Sequence, residues 1–342
     1  MRGKVAVLGA GSWGTAVAAM AVKSAPTVLW ARRPELALQI AHEHRNADYL
    51  PDLRLPPKLE ATPSMAEAVR GASMVVMAVP SHGFRTILEE AVGLLDADAC
   101  VLSLAKGLEK DSLKRMSEVI GEVAPGQRLG VLTGPNLARE VVAGQPTASV
   151  VAAEDEEVGR TVQSLLTSDT FRVYTNTDVV GAEMAGALKN VVALAAGMAD
   201  GMGLGDNTKA ALITRGLAEL SRLGVAMGGR PLTFSGLAGM GDLVATCYSR
   251  QSRNRHVGEQ LGRGRSLDSV IREMSMVAEG VKTAPVALAL ARTYGVEMPI
   301  AEQVTEVLEG RKNARQVIPA LMLRQAKAEL DGLPDPVEKE SQ

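Results

Sequence analysis

A single lysine stands inside an otherwise apolar helical pattern, at Lys189 in Glu183-Met184-Ala185-Gly186-Ala187-Leu188-Lys189-Asn190-Val191-Val192. Burying an ammonium there removes its water, which lowers its pKa and suits it to moving a proton. The competing reading is a lysine that snorkels along the helix to solvent. Asp242, in Gly239-Met240-Gly241-Asp242-Leu243, fits two roles. It can cap a helix ahead of an apolar run, and it can orient a lysine. Ser249 to His256 carries Arg250, Arg253 and Arg255 with His256. Such a run is either a local anion site, since arginine binds phosphate bidentately, or a solvated face.

A second constellation opens the chain. Gly9-Ala10-Gly11-Ser12-Trp13-Gly14 has the spacing G-x-G-x-x-G, directly after Val5-Ala6-Val7-Leu8 and at the head of a helical pattern from Ser12 to about Lys23. In that context Gly9 permits a tight turn, Gly11 lets the backbone approach a pyrophosphate, and Gly14 lets helix and strand pack closely. The helix N-terminus then offers N–H groups and a positive dipole end to phosphates. The plain alternative is a strand-to-helix turn without a ligand. After the second strand, roughly 20 residues beyond the turn, an NAD site usually has an acidic residue for the ribose 2′-hydroxyl. Here Ala31-Arg32-Arg33 stands in its place, which suits a 2′-phosphate and favours NADP(H), with NAD(H) possible.

The elements that must hold these residues follow from periodicity. Short, nearly continuous apolar runs at Val5–Leu8, Thr27–Trp30, Met74–Val79, Val101–Leu104 and Gly130–Thr133 read as strands buried on both faces. Ala148–Ala152 and Phe171–Tyr174 are expected to extend the same sheet. Helical spacing at Phe84–Leu94 and Ser112–Ile120 falls between them, so the pattern is an α/β, Rossmann-like, doubly wound and mostly parallel sheet. His82, after Pro80, reads as a helix start that could line a cofactor crevice. From Glu183 the chain becomes rich in Ala, Leu and Met and reads as helices. We therefore expect a dinucleotide-binding domain at 1–180, an all-α substrate-binding domain at 181–330, and a frayed tail at 331–342.

Composition narrows the function. The 342 residues suit two domains, with 46% hydrophobic and 22% charged residues and a net charge of −2. No global basic field favours nucleic acid or an anionic membrane, and the arginine run lacks interleaved aromatics. Cys100 and Cys247 sit in no paired motif, so neither a disulfide framework nor a zinc site is expected, and a cytoplasmic location is. His42-Glu43-His44 lacks the spacing of a helical zinc motif, so no metal is expected. The N-terminus leads straight into a strand-like segment, so no signal peptide is expected. No apolar run is expected to reach the roughly 18 residues of a membrane span, the best candidate being residues 191–199, so no membrane insertion is expected. A P-loop and a G-x-S-x-G elbow are both missing.

Taken together, the blocks Gly9–Thr15, Asn46–Pro51, Ser103–Gly107, Gly134–Glu140, Glu183–Val191, Gly239–Leu243, Ser252–Asn254 and Ala278–Gly280 resemble those of bacterial NAD(P)-dependent glycerol-3-phosphate dehydrogenases. Their order and spacing are more specific than any one block. The resemblance implies reversible reduction of dihydroxyacetone phosphate to sn-glycerol 3-phosphate for phospholipid synthesis, in a homodimer. It implies Lys189 as proton donor, Asp242 as the group that positions it, and Lys106 in contact with both substrate and cofactor. Gly134, Asn136, Asn190, Ser252, Arg253 and Asn254 fall on the substrate side, with Arg253 the phosphate anchor and a cofactor neighbour. Ser12, Trp13, Arg32, Arg33, Tyr49, Ala138, Val277 and Glu279 fall on the cofactor side. Asn136 stands where a serine is expected. A dehydrogenase acting on a 3-hydroxy acid or sugar acid would share the turn and the helical half but not the Lys106, Lys189 and Ser252–Asn254 set. A non-catalytic NADPH sensor would leave Lys189 without a purpose.

Overall fold

β-Branched and aliphatic runs at the start of the chain form strands because their side chains can pack on both faces of a sheet. The computed structural model describes residues 3–274, 278–325 and 328–329. By internal contacts they group into two units, Met1–Lys106 with Lys114–Val179, and Gly107–Leu113 with Val180–Gln342.

The strands of the first unit are β1 (Lys4–Leu8), β2 (Thr27–Trp30), β3 (Arg45–Asn46), β4 (Leu50–Arg54), β5 (Glu60–Thr62), β6 (Ala72–Met77), β7 (Cys100–Ser103), β8 (Arg128–Thr133), β9 (Thr147–Ala152) and β10 (Phe171–Asn176). Eight of them form one sheet in the order β10-β9-β8-β7-β6-β1-β2-β5, while β3 and β4 pair separately. Neighbours in the large sheet are parallel except β8 and β9. Alternation along β1 sorts the core into two layers. Val5 and Val7 pack with Val17 and Ala21 of the helix Ser12–Ala21 and with Leu165 and Leu166. Ala6 and Leu8 pack on the other side with Phe84, Leu88 and Ile120. Because β2 and β6 flank β1 on opposite sides, the turn after Leu8 sits at the point where the connections reverse, outside the carboxyl ends of the strands.

All seven strands expected from the sequence are present, Thr27–Trp30 with the expected ends and the other six with at least one end shifted. The predicted strand at Met74–Val79 begins and ends two residues earlier, and Pro80 caps the helix Ser81–Val92, so His82 does lie in a helical first turn. The helix predicted from Ser112 starts instead at Met116. Leu113 lies in the left-handed region at φ 60, and Glu118 Oε2 accepts the Arg115 N–H at 2.8 Å, which sets the start there. β3, β4 and β5 are short and largely polar and left no periodic signal in the sequence.

From Val179 onward the described residues are mainly helical, beginning with Val179–Gly201, Asp206–Ala226 and Pro231–Ser235. After one wide turn at Leu237–Gly241 come Asp242–Tyr248, Arg253–Gly262, Leu267–Glu273, Glu279–Thr293, Pro299–Leu308 and Ala314–Met322. Val179–Gly201 corrects the expectation that no segment is long and apolar enough to span a membrane. It has 23 residues and a mean hydropathy of 1.4 in its most apolar window, but 94% of that window is buried inside the protein. Glu183 and Lys189, the charges that interrupt the run in sequence, are themselves buried. It is the core helix of this unit.

Glycine sets how closely its neighbour approaches. A Cβ at Gly197 would lie 2.0 Å from Arg255 O, and one at Gly201 2.1 Å from Glu259 O. Reciprocally, a Cβ at Gly258 would lie 2.0 Å from Leu194 O and one at Gly262 2.3 Å from Met198 O. The helices Val179–Gly201 and Arg253–Gly262 therefore touch backbone to backbone, through glycines four residues apart on each. The Leu330–Gln342 stretch, which contains the tail expected to fray, lies outside the described residues, as does Val277.

Candidate active site

The opening turn has the geometry its glycines demand. Gly9 adopts φ 119, and a Cβ there would meet Ala78 O at 2.6 Å. A Cβ on Gly14 would lie 2.0 Å from Gly9 O, so only glycine lets helix and turn approach this closely. Gly11 differs: nothing lies within 4 Å of the place its Cβ would occupy. That open face adjoins the start of the helix Ser12–Ala21, which no side chain caps. The cradle therefore fits a phosphate group, with backbone N–H groups as donors.

Other residues brace this turn. Ser12 Oγ donates to Tyr49 O at 3.2 Å, joining two residues assigned to the cofactor. Asn46, fully buried, donates from Nδ2 to Ala10 O at 3.0 Å and to Thr15 Oγ1 at 2.8 Å. Sequence reasoning gave Asn46 no role; its only signal was membership of the Asn46–Pro51 block. Trp13 packs against Phe171 with ring centroids 6.3 Å apart, and its Nε1 is a buried donor without a hydrogen-bond partner. The two arginines separate. Arg33 pairs with Asp48, whose hydrogen bond holds the guanidinium pKa above its ordinary value. Arg32 is also exposed and lies two residues beyond the end of β2.

A second cluster of this unit lies beyond β7 and β8. Lys106 Nζ donates to Gly134 O at 2.8 Å, so two residues assigned to the substrate meet. Gly134 has φ 126, closed to most side chains. Asn136 Nδ2 donates to Ser149 Oγ at 3.0 Å, and Ser149 Oγ donates to Thr133 O at 2.8 Å. Asn136 Oδ1 is buried without a partner, an acceptor left for a ligand donor. Ala138 is the first residue of the helix Ala138–Val142, which packs on the helix Ser12–Ala21.

The second unit holds the buried charges. Lys189 is 5% exposed, so it does not snorkel. Its Nζ donates to Asp242 Oδ1 and, at 2.7 Å, to Thr246 Oγ1. Asp242 is no helix cap. It begins the helix Asp242–Tyr248 behind the wide turn, with Gly241 in the cap position, and its carboxylate goes to the lysine. These two oxygens replace the water that the ammonium loses on burial. Thr246 was missed in the sequence, though its i+4 spacing from Asp242 on a helix is the signal that could have found it. Cys247, next to it, has its thiol pushed up to about 12 by burial, too high for a nucleophile at neutral pH.

One residue further along the same helix, Asn190 Oδ1 accepts from Asn254 Nδ2 at 2.8 Å, and Asn254 Oδ1 accepts the Gly280 N–H at 2.9 Å. A Cβ on Gly280 would meet Asn190 O at 2.6 Å, which explains glycine after Glu279. Glu279 itself opens the helix Glu279–Thr293. Ser252 caps the helix Arg253–Gly262, its Oγ accepting the Arg255 N–H at 3.2 Å. Arg253 is exposed in the first turn of that helix. Arg255 is held by Asp200, so the arginine run is neither wholly an anion site nor wholly a solvated face. Among the described residues no cluster of His, Cys, Asp and Glu could hold a metal ion.

The first unit thus offers backbone donors for phosphates, and the second a buried ammonium with fixed partners beside paired amides. Comparison with known proteins gives a consistent context. Residues 4–159 match the family model described as NAD-dependent glycerol-3-phosphate dehydrogenase N-terminus, and residues 178–319 match its C-terminus counterpart. A glycerol-3-phosphate dehydrogenase [NAD(P)+] of Sphingopyxis alaskensis is 58% identical over 322 residues, 94% of this chain and 97% of that protein. One from Citrifermentans bemidjiense is 51% identical over 333 residues, covering 96% and 99%. The crystal structure of glycerol-3-phosphate dehydrogenase from Coxiella burnetii superposes with a TM-score of 0.91 at 35% identity, covering 94% of this chain and 99% of that one. A ketopantoate reductase from Ralstonia eutropha, 16% identical with a TM-score of 0.60, shares the fold.

Proposed function

The chain belongs to the NAD-dependent glycerol-3-phosphate dehydrogenase family and is an NAD(P)-dependent oxidoreductase; from that premise we propose that it reduces dihydroxyacetone phosphate reversibly to sn-glycerol 3-phosphate, with Lys189 as the proton donor. The observation that carries this reading is the buried Lys189, held by Asp242 and Thr246 one residue from the Asn190–Asn254 pair.

The residues around Gly11 fit the dinucleotide's phosphates, and Arg32 the 2′-phosphate of NADP(H). Bound NAD(P)H supplies the hydride. Adding it to a carbonyl leaves negative charge on oxygen, and Lys189 Nζ stabilises that charge and gives up a proton to it. Asp242 and Thr246 hold the ammonium in place so that no reorganisation is needed as charge develops. Asn190 and Asn254 order the wall beside it. Arg253 anchors the substrate phosphate, remote from the reacting carbon, so that its binding energy holds the reacting group in position. The Ser252 hydroxyl hydrogen, unused by the cap, is a further donor to the same phosphate. Lys106, Gly134 and Asn136 complete the substrate contacts. Trp13, Tyr49, Ala138, Val277 and Glu279 belong to the cofactor, with Arg33 in a lesser part.

We assign residues 1–180 to cofactor binding and 181–330 to substrate binding. The product is the phosphorylated glycerol that acylation turns into glycerophospholipid, so we place the enzyme at the entry to that synthesis, as a cytoplasmic homodimer. The deciding measurement is the loss of reduced-nicotinamide absorbance on adding dihydroxyacetone phosphate, run beside 3-keto acids and sugar acids. No turnover with dihydroxyacetone phosphate sinks the proposal. Light scattering on the eluted protein tests the dimer, and a monomer mass rejects it.

A further inference from the structure

Of the three arginines in Ser249–His256, the proposed function uses only Arg253. Arg255 is bound on every side. Its backbone N–H donates to Ser252 Oγ at 3.2 Å, and its carbonyl fills the space that a Cβ on Gly197 would need, 2.0 Å away. Its guanidinium rests on Asp200 Oδ2, through Nε at 2.7 Å and a terminal nitrogen at 2.6 Å, with Glu259 3.5 Å away. Both side chains of the Arg255–Asp200 pair are 13% exposed. The other oxygen of Asp200 takes Lys209 Nζ, and that ammonium lies 5.2 Å from the centre of the Tyr248 ring. Such a guanidinium is committed and has little left for a substrate. Asp200, however, lies on the same helix as Lys189 and Asn190.

We propose that Arg255 is a positioning residue: through Asp200 it fixes the Ser252–Arg253–Asn254 segment against the helix that carries Lys189. The spacing between phosphate anchor and proton donor is then set inside one unit. A largely shielded ion pair of this kind adds little net stability, because desolvation offsets the attraction, but it defines one geometry. Arginine suits this better than lysine, since its fork meets the carboxylate in a fixed plane. A phosphate anchor displaced by about 1 Å loses much of the advantage of holding the substrate in place. The proposal rests on the reading of Arg253 as that anchor.

The test compares Arg255→Met, Asp200→Asn, Arg255→Lys and Arg253→Ala in the full-length enzyme, with KM measured separately for dihydroxyacetone phosphate and NADPH. Arg255→Met and Asp200→Asn should each raise KM for dihydroxyacetone phosphate about tenfold while KM for NADPH stays within about twofold. Arg255→Lys should recover part of the loss. In the Arg253→Ala background, Arg255→Met should lower kcat/KM by less than about twofold more, because the anchor it positions is gone. Asp200→Asn keeps the test alive if Arg255→Met does not fold. An unchanged KM for dihydroxyacetone phosphate, an equal rise for both ligands, or losses that multiply in the double variant each overturn the proposal. If Arg253→Ala itself leaves that KM unchanged, the underlying reading of Arg253 fails, and the proposal with it.

Discussion

Gly11 of the first unit and the packed glycines of the second serve opposite purposes. In the opening turn, Gly11 faces open space, and its missing Cβ leaves room for something that is not protein. In the helical unit, Gly197, Gly201, Gly258 and Gly262 face the backbone of another helix, and their missing Cβ atoms are already filled by carbonyls. The first unit therefore makes its phosphate cradle from bare backbone, which can donate to phosphate oxygens wherever a ligand brings them. The second makes its site from side chains, and its glycines bring two helices close enough to fix where those side chains stand. Glycine spacing alone marks both, but only the surroundings say whether the space is for a ligand or for packing.

If the second unit's chemistry resides in a side chain, removing that side chain should have the largest effect. Lys189→Ala should lower kcat by about 10²- to 10⁴-fold while NADPH binding, followed by fluorescence, persists. Retained turnover would remove Lys189 from the reaction and blur the contrast between the units. The glycines test the contrast most directly. Alanine at Gly258 gains about 1 kcal/mol of helix propensity, but its Cβ meets Leu194 O, and overpacking of this kind costs about 2–3 kcal/mol. Gly258→Ala should therefore lower the midpoint of urea unfolding. Gly11→Ala should leave it within about 0.5 kcal/mol of wild type and weaken NADPH binding instead. Equal stability losses in the two variants would refute the distinction.

Glu219 sharpens the contrast from the side of packing. Its carboxylate accepts the Ile300 N–H at 2.8 Å and the Ala301 N–H at 3.3 Å, capping the helix Pro299–Leu308. Burial raises its pKa to about 7, and those two N–H bonds offset only part of the shift. The folded state then keeps a proton that the unfolded state has released, so stability falls as pH rises from about 4.5 to about 7 and levels off above that. Glu219→Gln should flatten this slope, removing a contribution on the order of 3 kcal/mol across the window. An unchanged slope in urea unfolding between pH 5 and 8 would show that Glu219 does not titrate there. The smallest effect is expected on the exposed arginines. Arg32→Ala should reduce the preference for NADPH over NADH roughly tenfold. Arg33→Ala should change it by about threefold or less, because Asp48 already holds that guanidinium. The reverse order would exchange their roles.

Much of the first unit was legible in the sequence. Continuous apolar runs located seven strands, since a strand buried on both faces has no polar positions to disguise it. Short edge pieces such as Glu60–Thr62 were not, because three polar or small residues carry no period. In the second unit Lys189 stood out by contrast with its neighbours, yet Asp242 could be read equally as a cap. Thr246 and Asp200 drew no notice, because a threonine or an aspartate in a mixed segment is unremarkable until a partner appears beside it.

The sequence by itself determined what is local: the Gly9–Gly14 turn between strand and helix, the helical character of the second half, and a lysine among apolar residues. Tertiary structure alone decided what is paired. Lys189 and Asp242 are 53 residues apart, Asn190 and Asn254 64 apart, and Arg255 and Asp200 55 apart. The reason is physical. Periodicity reports which face of an element is buried, whereas the partner of a buried polar group depends on which helices approach closely enough to meet; for Asn190 with Asn254 and Asp200 with Arg255, glycines four residues apart on the two helices set that approach.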